Sequence, residues 1–323
     1  LRTYTIFLLV WLFFGLTACS TEKTIPQDKI GVLYTDASQP DSAFVIMDKK
    51  GHIESQVNIP AMGIFQVIRK ENGNYLFPVQ YDNKLFTLSP AKQLTSSSIL
   101  PFPLYMSAGN NFRLTTYNSS LHSGTVEWKD ENRTKRVQLP GFPRVATYDD
   151  QKIYVFATII QQKKPVLYVL DRSTGTIDKV IPLQIDQAND LEIIDKRLFI
   201  TSTASEKRIA ILHLSSWEID YLSLPKSQPE YILTFSNNIL ITYQGSTTLS
   251  LLDRRSLEIQ RAISLPQPVL KAKIDGNDLY VLSQIPNSGQ GVIGVYRLSD
   301  WKLTRKIMLP AIRNTLIQDF VVF

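Results

Sequence analysis

The 323-residue chain holds one cysteine, Cys19, and three histidines, His52, His122 and His213. A single thiol rules out an internal disulfide framework. Three scattered imidazoles, without His-x-His, Glu-x-x-His or Cys partners, give no metal-ligand spacing. Phosphate-cradling loops are missing as well, because Gly124 and Gly141 stand alone and no helical pattern follows either. There is no Gly-x-Ser-x-Gly elbow, and Ser288-Gly289-Gln290-Gly291 reads as a loop between strands. The net charge of +6 is spread over scattered Lys and Arg, so no basic stripe points to nucleic acid. No segment of the chain beyond its first apolar run sustains a helical period. With 44% hydrophobic residues there is material for a sizeable core, which excludes disorder.

The amino-terminal segment reads as an address. Arg2 is followed by an apolar run from Ile6 to Leu16, broken only by Gly15, and then by Thr17, Ala18 and Cys19. A short basic start, an apolar stretch of this length and small residues at its end describe a secretory signal rather than a spanning helix. Leu16-Thr17-Ala18-Cys19 resembles the bacterial lipobox. That resemblance implies cleavage before Cys19 and a diacylglyceryl group on its sulfur, which gives the lone thiol a use. Two acyl chains anchor durably where one would be marginal. The expected division is a lipoprotein signal peptide over 1–18, a lipidated tether over 19–28 and a folded body over 29–323. The protein would sit on the extracytoplasmic face of a bacterial cell membrane.

The body repeats. A Leu-Pro-like marker recurs as Ile59-Pro60, Leu100-Pro101, Leu139-Pro140, Ile181-Pro182, Leu224-Pro225, Leu265-Pro266 and Leu309-Pro310, with successive prolines 39 to 44 residues apart. That spacing is the span of a four-stranded propeller blade. Proline is tolerated at the end of an outer strand, where no ladder N–H is needed. An apolar strand is expected to come first in several units, as in Ile153-Tyr154-Val155-Phe156 and Leu279-Tyr280-Val281-Leu282. A strand closing on a polar turn follows, as in Val169-Leu170-Asp171. Lys29–Tyr34 starts as if a preceding strand were missing, and 315–323 matches a strand with no blade of its own. The expectation is an all-β, seven-bladed β-propeller whose C-terminal strand completes the first blade and removes the open sheet edges.

Leu279-Tyr280-Val281 and the run Val169-Leu170-Asp171-Arg172-Ser173-Thr174-Gly175 resemble the repeats of bacterial YVTN/YncE-like β-propellers. The resemblance spans 29–323 and implies the fold more than any activity. Blades two and three depart most, through Phe77-Pro78 and a long charged turn over Lys129–Lys135.

In a propeller, ligands bind around the channel mouth. Nine residues before each Leu-Tyr-Val-like strand lie Gln66, Arg144, Asn189 and Glu230, with Leu270 breaking the pattern. These, with Asp190, Tyr231 and Arg313 and the aromatics Phe65 and Phe142, form the expected binding ring. Trp217 and Trp301 occupy matching turns, where repeat packing is the expected role. Asp186 reads as a turn cap. No catalytic residue, resident metal or cofactor is marked by spacing. A Ca²⁺ ion in the axial channel would need two or three of Gln66, Arg144, Asn189, Asp190 and Glu230 to converge. The leading expectation is therefore a non-catalytic binding or scaffold module for a protein, peptide or glycan. The competing one is a propeller enzyme resembling lactonases or quinoprotein dehydrogenases, with its site at the channel mouth.

Overall fold

A computed structural model describes residues 29–323 apart from 110, 121, 131, 132 and 287. The expected signal peptide, Cys19 and the expected tether lie outside the described residues. Within them, 28 strands, β1 to β28 in chain order, form seven four-stranded antiparallel sheets. The protein is a seven-bladed β-propeller.

The first blade is ordered β28 (Leu316–Val322), β1 (Lys29–Thr35), β2 (Ser42–Asp48), β3 (Ile53–Ile59). Pairing runs from Ile30↔Val322 to Thr35↔Leu316, so the end of the chain supplies the innermost strand of the blade in which the described chain starts. The remaining innermost strands are β4 (Ile68–Arg69), β8 (Pro103–Ala108), β12 (Phe142–Tyr148), β16 (Leu191–Ile194), β20 (Pro229–Phe235) and β24 (Lys271–Asp275).

The Leu-Tyr-Val strands are not the first of their blades but the second. Tyr154 lies in β13 (Lys152–Ile159), which pairs with β12 on its inner side, and Tyr280 lies in β25 (Asp278–Gln284), which pairs with β24. The first strands escape a hydrophobicity reading because one of their faces meets the channel and is polar. Blade three also departs from the expectation. There Lys129 pairs with Thr134 and Asp130 with Arg133, so the charged run is mostly two strand ends rather than a long turn. Charge is tolerated because Glu127, buried beside it, accepts hydrogen bonds from Arg136 at 2.7 Å and Arg113 at 3.4 Å.

The core is a ring of inter-blade layers. One apolar cluster fills each of the seven blade interfaces: Ile30, Val32, Tyr280 and Phe320 between blades seven and one, Val145, Phe156, Leu198 and Leu212 between four and five, and so on round. The interface of blades two and three is the smallest, built on Leu76, Leu85, Ile99, Met106 and Tyr117. The marker residues take part in this ring. Ile59, Leu139, Leu224, Leu265 and Leu309 are buried, while the outer strands before them are largely exposed. The marker is thus the point where an outer strand tucks back under the next blade.

Turns repeat with the same physics. Trp217 and Trp301 adopt positive φ at equivalent places, each amide donating to the carbonyl four residues back. Their rings stay in the blade packing: Trp301 meets Phe235 edge-on at 5.8 Å, and Lys179 lies over Trp217.

Candidate functional site

The inner strands point alternate residues at the axis, where the seven blades enclose a cavity of about 930 Å³. Local irregularity aims the side chains. Pairing slips by a residue at Leu104, at Arg144, at Glu230–Tyr231 and at Gln318, so four inner strands bulge at the same level. A bulge leaves its extra residue out of the ladder and re-aims its side chain. Two glycines fix β12 in place. Gly141, at φ +92°, turns the chain into the strand with Thr158 O too close for a Cβ, and Gly124 of blade three lets the Pro143 ring approach.

One level in, polar side chains tie neighbouring blades together. Asp319 Oδ2 accepts the Val67 amide at 3.0 Å, and Gln66 Oε1 accepts the Met106 amide at 3.0 Å while its Nε2 donates to the Met106 carbonyl at 2.8 Å. Asp190 Oδ2 accepts the Ile232 amide at 2.8 Å. Each link joins one inner strand to the next, replacing backbone pairing that separate sheets cannot make. Gln66 and Asp190, expected as ligand contacts, are therefore occupied in holding the ring.

The cavity collects charge. Arg69, Arg144, Lys271 and Lys273 line it against Asp190, Glu192 and Asp319. Lys273 faces Asp319 at 3.7 Å, and Lys271 donates to the Tyr231 hydroxyl. Arg69 donates to the Val322 carbonyl at 3.1 Å and covers Phe323. Burial pushes the Glu192 carboxyl up to about 7, with the negative charge of Asp190 adding to it. Burial likewise raises Asp190 to about 6 against the pull of the Ile232 amide and Lys271, and raises Glu230 to about 7.

These three groups set a pH dependence. In the folded chain they hold protons that the unfolded chain has lost by about pH 4–5. The native state binds more protons between roughly pH 4.5 and 7, so stability falls as pH rises through that window. The melting temperature is expected to be higher at pH 5 than at pH 7.5, by roughly 2 °C for each kcal/mol at this chain size. Glu192→Gln should flatten part of that slope. Thermal melts across the range check this, and a variant that keeps the parent slope would refute it.

Of the residues expected at the mouth, Gln66, Arg144, Asn189, Asp190 and Tyr231 line the cavity, as do Phe65 and Phe142. Glu230 sits at the bulge but outside the lining, and Arg313 is engaged by Asp41 on the rim. Asp186 accepts the Thr158 hydroxyl at 2.6 Å and the Gln187 amide, as a turn cap does. The histidines are elsewhere: His52 meets Asp48, His213 meets Asp220 and His122 meets Gln161, none in the cavity. Among the described residues no three His, Cys, Asp or Glu side chains gather closely enough to ligate a metal ion. Tyr105, Glu192, Lys271, Lys273 and Asp319 line the cavity too, and none of them is among the residues expected there. A period-two polar pattern, Asp190/Glu192 and Lys271/Lys273, was the available signal.

No family model matches the chain, and no curated protein matches it in sequence. Solved structures do match in shape. Apo AztD from Citrobacter koseri is 11% identical with a TM-score of 0.60, over 91% of this chain and 98% of that one. The dihydro-heme d1 dehydrogenase NirN, in complex with DHE, is 10% identical with a TM-score of 0.64, over 93% and 76%. BamB from Moraxella catarrhalis is 12% identical with a TM-score of 0.57, over 87% and 86%. Identities this low establish the propeller and nothing about chemistry.

Proposed function

We propose that the chain is a lipid-anchored, extracytoplasmic binding or scaffold module, YVTN/YncE-like in its repeats, which takes its partner at the mouth of the central cavity. The observation that carries this reading is convergence. All seven blades contribute to one cavity of about 930 Å³, large enough for a small molecule or the end of a chain. Its rim carries aromatic, amide and guanidinium groups from Phe65, Phe142, Asn189 and Arg144. The anchor rests on Leu16-Thr17-Ala18-Cys19.

One experiment tests both parts. A photo-crosslinking residue at Asn189 is expected to trap a discrete partner in intact envelopes, whereas one at Lys302, on an exposed turn away from the cavity, traps none. Cys19→Ser should move the protein from the membrane to the soluble fraction and lose the adduct if the partner is membrane-bound. Identical adducts from both positions would overturn the cavity reading, and unchanged membrane partition of Cys19→Ser would overturn the anchor.

A second reading is favoured by Glu192. A carboxyl held near pH 7 inside a cavity is the property a general acid needs. An enzyme of the lactonase or quinoprotein-dehydrogenase kind would use that group at the channel mouth.

A further inference from the structure

Among the cations that line the cavity, Arg144 is set apart by its lack of partners. Lys273 has Asp319, Lys271 has the Tyr231 hydroxyl, and Arg69 has the Val322 carbonyl and the Phe323 ring. Arg144, half-buried, has no hydrogen bond, ion pair or ring contact among the described residues. A guanidinium half-buried in a cavity with no partner from the chain has its donors free for an incoming group. The backbone presents it deliberately. Arg144 is the extra residue of the β12 bulge, between Pro143 paired to Ala157 and Val145 paired to Phe156.

The surroundings narrow what would complete it. Guanidinium forks match planar carboxylates with two parallel hydrogen bonds. Four cations line the cavity against three carboxylates, and Asp190 and Asp319 already accept backbone amides, so the lining favours an incoming anion. Apolar residues line the same cavity as Arg144: Phe142 two residues earlier on the same strand, Leu104 at the bulge of β8 in the neighbouring blade, and Phe65 one blade further. Glu192 also lacks a cation within ion-pair distance, and it sits with Asp190 on the side of blade five.

Resting on the cavity-binding reading above, we propose that this site takes a carboxylate carried on an apolar body, the carboxylate forked by Arg144 and the apolar part seated on Phe65, Leu104 and Phe142. Such a group is offered both by a small free acid and by the C-terminus of an apolar-ended peptide.

The test is a titration of detergent-extracted full-length protein, followed by ligand-observed NMR. The probes are benzoate, N-acetylphenylalanine, N-acetylphenylalaninamide, benzamidinium and inorganic phosphate. Benzoate or N-acetylphenylalanine is expected to bind at least tenfold tighter than the amide. The tighter of the two acids identifies the source as free acid or peptide end. Arg144→Gln should abolish that preference, Arg144→Lys should keep part of it, and both should melt with the parent, because Arg144 holds nothing else in place. Equal binding of acid and amide, binding of phosphate alone, or an Arg144→Gln protein with unchanged affinity for the acids would overturn the proposal. The cavity reading fails separately. If benzamidinium or the amide binds and Leu104→Trp blocks it, the cavity stands and the carboxylate assignment falls. If no probe binds and Asn189 traps nothing in envelopes, both fall.

Discussion

Deletion of residues 315–323 is expected to unfold the whole ring rather than fray one end. β28 pairs as a strand with β1 alone, yet this segment carries Ile317, Phe320, Val321 and Phe323, all buried, into two of the seven inter-blade clusters. At about 1.5–3 kcal/mol for each large apolar side chain taken out of water, their loss is on the order of 8 kcal/mol. That is comparable with the entire stability of an ordinary domain. It would also bare the inner edge of β1 and leave Val67 without its acceptor. Thermal melting and limited proteolysis of the truncated chain should show no cooperative transition and rapid digestion throughout. A truncated protein that melts as the parent does would refute ring closure as the main constraint.

The second large effect is expected at a single side chain. Asp319 is 5% exposed, accepts the Val67 and Phe320 amides at 3.0 and 2.8 Å, and faces Lys273. Asp319→Ala would strand a buried amide and remove the anion that balances two cavity lysines, a loss of about 3–5 kcal/mol. Asp319→Asn keeps an oxygen for the Val67 amide and should lose clearly less. Denaturant titrations separate the two. An alanine variant within about 1 kcal/mol of the parent would show that the blade-to-blade link is dispensable, since a typical single hydrogen bond is worth that much.

The architecture was legible because its punctuation repeats. Leu309-Pro310 and its six counterparts mark the end of an outer strand once per blade, and in five of the seven the apolar residue of the marker is buried. The buried second and third strands were legible for the same reason, as in Ile153–Phe156 and Leu167–Leu170. The inner strands were not. Their axial faces carry Glu192, Lys273 or Arg144 instead of a common residue, and bulges shift the count by one between blades. A fixed offset therefore found Arg144 and Asn189 but landed on Leu270 rather than Lys271. Arg313 looked available in the sequence because nothing there reveals that Asp41, across the rim, already engages it. Glu192 was passed over because a carboxylate two residues beyond Asp190 looks like any solvated charge until burial is known.

The pairing of Ile30 with Val322 also sets an order of events. A ribosome delivers the strand that completes the first blade after every other blade has been made. Until then β1 waits with its inner edge unfilled, and any product that stops early lacks the piece that closes it. β28 thus works as a check on synthesis: a chain cut short before it stays open to proteases, and only a chain that includes it can shut.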